Sequence, residues 1–368
     1  RGARALCFLM SIKRVIAVYK KEWIMKLFIQ VAVVSLILVA GSTGWSVLHQ
    51  PQSSTPVIAK AAQAFLDSLD DQQKQQTVFE YAAKERKAWH FIPKKTRKGM
   101  QVKEMNEAQK KAANAVLRSC LSKAGYDKAR KIMELEKVLA ALEKNKTGGA
   151  VRDSERYYIT LFGKPGGDDL WGISFEGHHL SLNFSLKGSD LVSSTPSFFA
   201  ANPATVKSQV VDSVTLGTQV LKDEEQIAFE LVNSLDEAQR KSAVIAEKAP
   251  REIRGAGEAE TPKDEKVGIV YSDLNEEQKV KMRELVRSYL IKLPPAAVNR
   301  LVQKITADGS QNIRFAWAGA TKPGIGHYYR IQGPSLLIEF VNTQPDPAGN
   351  PANHIHCVLR ELNGDFGP

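Results

Sequence analysis

The chain has 368 residues, 43% of them hydrophobic and 25% charged, the proportions of an ordinary globular protein. Its net charge of +11 gathers at the N-terminus, where residues 1–45 hold seven basic residues and a single acid, Glu22. The remainder carries 44 basic and 39 acidic residues, a net of +5 that gives no case for nucleic acid or any other polyanion as a partner.

In chain order, Lys26 precedes the apolar run Leu27–Ala40, long enough for the core of a signal peptide and short for a membrane span. Small residues follow at Ala40-Gly41-Ser42-Thr43-Gly44, as a signal-peptidase site needs. On this reading residues 1–24 are upstream sequence or an extended n-region, residues 25–45 are a signal peptide starting at Met25, and residues 57–368 are a single domain exported to the periplasm or beyond. Apolar character continuing to Leu48 leaves an uncleaved anchor as the alternative, and no other membrane contact is expected. Cys120 and Cys357, the cysteines of the body, are expected as buried free thiols.

Four segments share one helix-start pattern, a hydrophobic residue, then Asp or Asn, then an acid, then Gln at the third helical position. They are Leu69-Asp70-Asp71-Gln72-Gln73, Met105-Asn106-Glu107-Ala108-Gln109, Leu235-Asp236-Glu237-Ala238-Gln239 and Leu274-Asn275-Glu276-Glu277-Gln278. The Asp or Asn caps the first free backbone N–H groups and the Gln reaches back, a capping box. Helices are predicted over Lys74–Lys87, Lys110–Leu121, Arg240–Lys248 and Lys279–Leu290, with further helical stretches at Tyr126–Lys144 and Ala296–Ala307. Strands are predicted at Val151–Phe162, Trp171–Phe175, His178–Leu186, Ile313–Ala318, His327–Gln332, Ser335–Asn342 and His354–Leu359. Short Gly-containing links favour antiparallel hairpins, so the class is α+β, a mainly antiparallel sheet flanked by helices. Tyr157–Phe184 and Ile313–Phe340 align without a gap, which suggests an internal duplication of a helix-helix-β-meander unit, with half-repeats 103–186 and 272–342. The charged stretch Arg251–Lys266 reads as an exposed, mobile loop.

Five of the seven histidines fall in three strand-like segments, around His178-His179, His327 and His354-Ile355-His356. Alternate strand residues share a face, so His354 and His356 project together. Parity also puts His179 with Asn183 on the polar face of its strand, and His327 with Tyr329 on one face of theirs. Glu339 is a carboxylate in an otherwise apolar strand and needs a cation, a metal or strong hydrogen bonds. The expected site is a divalent transition metal, zinc, iron or copper, held by His354 and His356 with His179 or His327. Glu339, His179 and Tyr329 are the candidate catalytic groups, and a histidine cluster acting without metal is the competing reading. Trp89–Gly99 mixes aromatics with four basic residues and could hold an anionic or sugar-like substrate, or form a plain basic surface loop. There is no G-x-G-x-x-G before a helix, no P-loop, no G-x-S-x-G and no H-E-x-x-H.

The strings Gly177–Phe184 (GHHLSLNF), Thr195–Val206 (TPSFFAANPATV), His327–Pro334 (HYYRIQGP), Glu339–Gln344 (EFVNTQ) and Asn353–His356 (NHIH) resemble those of a family of mostly exported, uncharacterised proteins catalogued as domain of unknown function 3500. The resemblance runs from about Ala59 to Gly367. It implies membership and no mechanism. Val341 stands where the family's string suggests Asp, which leaves Glu339 as the candidate carboxylate of that strand. The expected protein is therefore a metal-dependent enzyme, hydrolytic or oxidative, acting on a small or carbohydrate-like substrate. A non-catalytic periplasmic or extracellular ligand-binding or scaffolding protein is the alternative.

Overall fold

Each of the four predicted helix starts closes a capping box. In the computed structural model, which describes residues 55–144, 151–263 and 265–368, Asp70, Asn106, Asp236 and Asn275 accept from the backbone N–H of the Gln three residues on. That Gln in turn accepts from the cap residue's own N–H. The boxes also meet in pairs. Gln109 donates to Gln73 at 2.7 Å, and Gln239 and Gln278 exchange hydrogen bonds at 2.9 and 2.8 Å. The expected leader over residues 1–45 lies outside the described residues.

Eight helices are described: α1 Thr55–Asp67, α2 Asp71–Thr77, α3 Glu107–Cys120, α4 Lys123–Leu142, α5 Lys222–Ser234, α6 Glu237–Ala243, α7 Glu276–Leu290 and α8 Pro295–Ala307. Two are shorter than predicted. Helix α2 stops at Thr77 because Val78-Phe79 pairs with a strand, and α6 stops at Ala243 because Val244–Ala246 does the same. β-Branched and aromatic side chains there gain more from a pleated, half-buried surface than from another helical turn.

Thirteen strands form one sheet: β1 Val78–Phe79, β2 Met100–Gln101, β3 Tyr158–Phe162, β4 Leu170–Gly177, β5 Leu180–Lys187, β6 Asp190–Ser193, β7 Ser197–Ala201, β8 Val244–Ala246, β9 Ile269–Val270, β10 Arg314–Gly319, β11 His327–Gln332, β12 Leu336–Asn342 and β13 Ile355–Glu361. Their order is β1-β3-β4-β5-β7-β13-β12-β11-β10-β8, with β2 on β3, β6 on β5 and β9 on β10. Only β1–β3 and β8–β10 are parallel, so the sheet is mainly antiparallel and the class is α+β. Residues Gln50–Pro368 make one compact unit.

The chain passes through similar element orders twice, from α1 to β7 and from α5 to β13. Registers match as well. Thr160 pairs with Ser174 and Ser174 with Asn183, while 156 residues later Ala316 pairs with Arg330 and Arg330 with Glu339. Strands β7 and β13, the last of each series, meet side by side at the centre of the sheet, with Phe199 opposite Cys357.

The two faces are covered differently. On one, Phe199, Cys357, Phe340, Tyr329 and His327 meet the helices: Tyr289 of α7 bonds to Tyr329, and Phe229 of α5 lies against His327. On the other, Phe198, Ala200, Val341, Val358 and Tyr328 form a core with Trp89, Phe91 and Ile253. Ala249, Ala256 and Ala259 pack against that core, so residues 249–263 run as a strap across the sheet. This corrects the prediction of an exposed loop for the docked part of the segment, while Glu258, Glu260, Lys263, Glu265 and Lys266 are exposed as predicted. Its few apolar side chains are the ones that dock, with Ile253 only 4% exposed. Arg360 fastens it by donating to the carbonyls of Glu258 and Ala259 at 3.1 and 3.0 Å. No described helix is long and apolar enough to cross a membrane.

Candidate metal centre

His178 and His179 form the turn between β4 and β5, closed by the Gly177–Leu180 pair, and do not begin a strand. His179 takes a left-handed φ of 64°, a costly conformation for a residue with a Cβ. Two backbone bonds hold it there: its N–H donates to Phe91 O, and its carbonyl accepts from Ala200 N–H, both at 2.9 Å. His354 lies one residue before β13, its N–H donating to Asn342 Oδ1 at 3.0 Å, and His356 is the second residue of the strand. The turn of one strand pair and the start of the central strand thus meet at one end of the sheet.

The rings converge through their Nε2 atoms. His354 Nε2 is 2.9 Å from His179 Nε2 and 2.9 Å from His356 Nε2. The far nitrogens set the tautomers. His356 Nδ1 is 2.8 and 2.9 Å from the Glu252 carboxylate oxygens, which accept a hydrogen bond from Nδ1–H and so leave Nε2 with a lone pair. His354 Nδ1 is 3.3 Å from the amide of Asn202, whose Oδ1 is buried without a partner. Turning that amide lets Oδ1 accept Nδ1–H, and His354 Nε2 then also presents a lone pair. Facing lone pairs at 2.9 Å repel unless a cation lies between them. A tetrahedral zinc with Zn–N near ~2.05 Å separates its nitrogens by about 3.3 Å, so the rings need to part by only a few tenths of an ångström.

Burial suits the set to metal. His179 and His356 are 3% and 5% exposed, and His354 is half-buried. Burial first, and then the neighbouring histidines, push His179 well below the ordinary histidine pKa and His354 down to about 2. Both rings are neutral at neutral pH, the form that binds metal. A second group, Glu136, His178 and His179, also brings possible ligand atoms together. There the Arg152 guanidinium lies 3.1 Å from His178 Nδ1, a fixed positive charge that disfavours a second cation. Arg152 pairs with Glu143 at 2.8 Å, Glu136 bonds His178, and the His178 ring stacks on His179 at 3.6 Å.

Of the residues expected from sequence, His179, His354 and His356 are brought together. His327 is not among them, because it lies on the helix-covered face with Nε2 3.2 Å from Glu225. Tyr329 is on that same face, its hydroxyl 2.6 Å from Tyr289 and donating to Glu224 O at 2.8 Å, away from the histidines. Glu339 shares the face of His356 but is an ion-pair partner, accepting from Arg254 at 2.9 Å and from Tyr328. In the Trp89–Gly99 segment, Trp89 and Phe91 are core, while Lys98 and Arg97 pair with the buried Glu176. Glu252 and Asn202, the partners of His356 and His354, and Glu136 and Arg152, the partners of His178, are not marked as such in the sequence. Their contacts span up to 152 residues of sequence, and no local pattern marks them.

A groove of about 730 Å³ lined by residues including Lys110, Asn114, Arg130 and Glu155 includes none of the histidines. No curated protein and no solved structure matches the chain. A family model does match over residues 51–368, and the chain belongs to that family, described as "Protein of unknown function (DUF3500)".

Proposed function

We propose that the chain is an exported metal-dependent enzyme, hydrolytic or oxidative, acting on a small or carbohydrate-like substrate at the His179–His354–His356 site. The carrying observation is the convergence of three imidazoles, His354 Nε2 lying 2.9 Å from the Nε2 atoms of both His179 and His356, with the Glu252 carboxylate behind His356. A carboxylate on the far nitrogen of a ligand histidine fixes its ring and raises its basicity. Three protein ligands leave a fourth tetrahedral position for water or substrate, the arrangement of catalytic zinc; imidazole equally suits copper and iron. Bound metal of this kind lowers the pKa of water and polarises carbonyl groups.

One observation favours the alternative of a ligand-binding protein without turnover. The nearby carboxylates Glu136, Glu252 and Glu339 are each already engaged by His178, His356 and Arg254, so among them none is free to act as a base. We also read the two halves as a duplicated unit. The paired capping boxes and the registers displaced by 156 residues support this.

Elemental analysis of the purified protein beside a folded His354→Ala/His356→Ala variant tests the metal. Near-stoichiometric zinc, iron or copper in the parent and none in the variant is expected. A parent that stays metal-free after reconstitution removes the proposal.

A further inference from the structure

On the sheet face that carries His356, three buried polar side chains lack partners for one atom each. Arg330, Gln332 and Glu339 are 2%, 4% and 0% exposed, yet Arg330 Nη2, Gln332 Nε2 and Glu339 Oε2 make no hydrogen bond. They belong together. Arg330 and Glu339 are directly opposite on β11 and β12, and Gln332 lies two residues along from Arg330 on the same face. Their other polar atoms are taken by the strap and the residues just after it. Arg254 donates to Glu339 Oε1 at 2.9 Å and to Gln332 Oε1 at 3.3 Å, and Arg330 Nη1 donates to Glu265 at 3.1 Å. A buried donor or acceptor left unpaired costs about 1–3 kcal/mol, so three together call for an occupant.

We infer that Arg330, Gln332 and Glu339 form a binding subsite for a neutral polyhydroxylated ligand, roofed by the strap and on the sheet face that carries His356. The free valences are two donors and one acceptor. A vicinal pair of hydroxyls, each able to accept and donate, complements them. Charge argues for a neutral ligand, since Arg254 and Arg330 are already balanced by Glu339 and Glu265. Solvent reaches the edge beside the roof, where the Glu265 side chain is 56% exposed. The strap also joins the two sites. Glu252 holds His356 and, two residues on, Arg254 holds Glu339, while Val341 of the same strand pairs with His356. On this reading the substrate reaches along the sheet face from the subsite towards the proposed metal. The subsite's hydrogen-bonding argument is independent of that metal, although its role in turnover rests on the proposed function.

Saturation-transfer NMR on the full chain, with zinc and with chelator, tests it against D-glucose, D-galactose, D-mannose, D-xylose and myo-inositol. This panel spans cis and trans vicinal diols. At least one is expected to bind in both conditions, with affinity reduced roughly tenfold or more in Gln332→Leu and Arg330→Leu, as loss of a buried hydrogen bond implies. Binding only with zinc would show that the metal completes the subsite and would overturn its independence. Should the variants fail to fold, hydrogen exchange of wild-type residues 249–263 decides, since a bound polyol must slow it. No saturation transfer from any of the five, or undiminished transfer in both folded variants, overturns the assignment and leaves those atoms to ordered water alone.

Discussion

Replacing Glu252 by Gln removes the charge behind His356 and leaves the shape almost unchanged. In the native protein both carboxylate oxygens lie within 2.9 Å of His356 Nδ1, so the imidazole is oriented and made more basic by a full negative charge. Loss of such a partner costs about 10–100-fold in metal affinity. The Glu252 side chain is 33% exposed and water screens part of its charge, which puts the expectation at the lower end, about tenfold or ~1.4 kcal/mol. Competition of zinc against a chromophoric chelator at fixed pH and ionic strength measures it directly. The same loss should appear in stability: at zinc 100-fold above the wild-type Kd, the metal stabilises the folded state by ~2.7 kcal/mol, and a tenfold weaker site by ~1.4 kcal/mol. Zinc affinity within twofold of wild type in a folded Glu252→Gln protein would refute the tautomer argument, because His356 would then not depend on the carboxylate.

The structural ion pairs and caps make further predictions. Arg254→Met leaves the fully buried Glu339 without its cation and should cost about 3 kcal/mol in urea unfolding, much of it recovered in the Arg254→Met/Glu339→Leu double variant. Equal stabilities of single and double variants would contradict this. Glu224, buried between Lys128 and Lys292, has its pKa lowered in the folded protein, where the attraction of the lysines outweighs a large opposing effect of burial. Its stabilisation is therefore present above the ordinary carboxylate pKa and lost as pH falls through the depressed folded value. Stability measured from pH 6 down to pH 3 should fall less steeply in Glu224→Gln. Gln278→Ala opens a capping box and strips partners from Gln239 and the Ser234 carbonyl, so about 1–2 kcal/mol should be lost in thermal unfolding.

What could be read from sequence was local. The four capping boxes formed where Asp70, Asn106, Asp236 and Asn275 announced them, because a cap is decided within four residues. The H-x-H spacing brought His354 and His356 to one place for the same reason. Errors arose where strand pairing decides. The parity that grouped His327 with Tyr329 was correct, but which face meets His356 depends on the register of β11, β12 and β13, and a one-residue slip reverses it. His178 and His179 read as strand residues, yet the Gly177–Leu180 pairing makes them the turn itself. The central strand β7 was missed altogether. Arg251–Lys266 looks polar enough to be mobile, yet Ile253, Ala256 and Ala259 suffice to dock its first half once Arg360 and Glu339 anchor it.

X-ray absorption at the zinc edge of the reconstituted protein tests the central claim most directly. A first shell containing three imidazole nitrogens at about 2.0–2.1 Å, reduced to two in the single variant His354→Ala reconstituted at high zinc, is the predicted result. A shell with sulfur, or the same imidazole count in parent and variant, would contradict it.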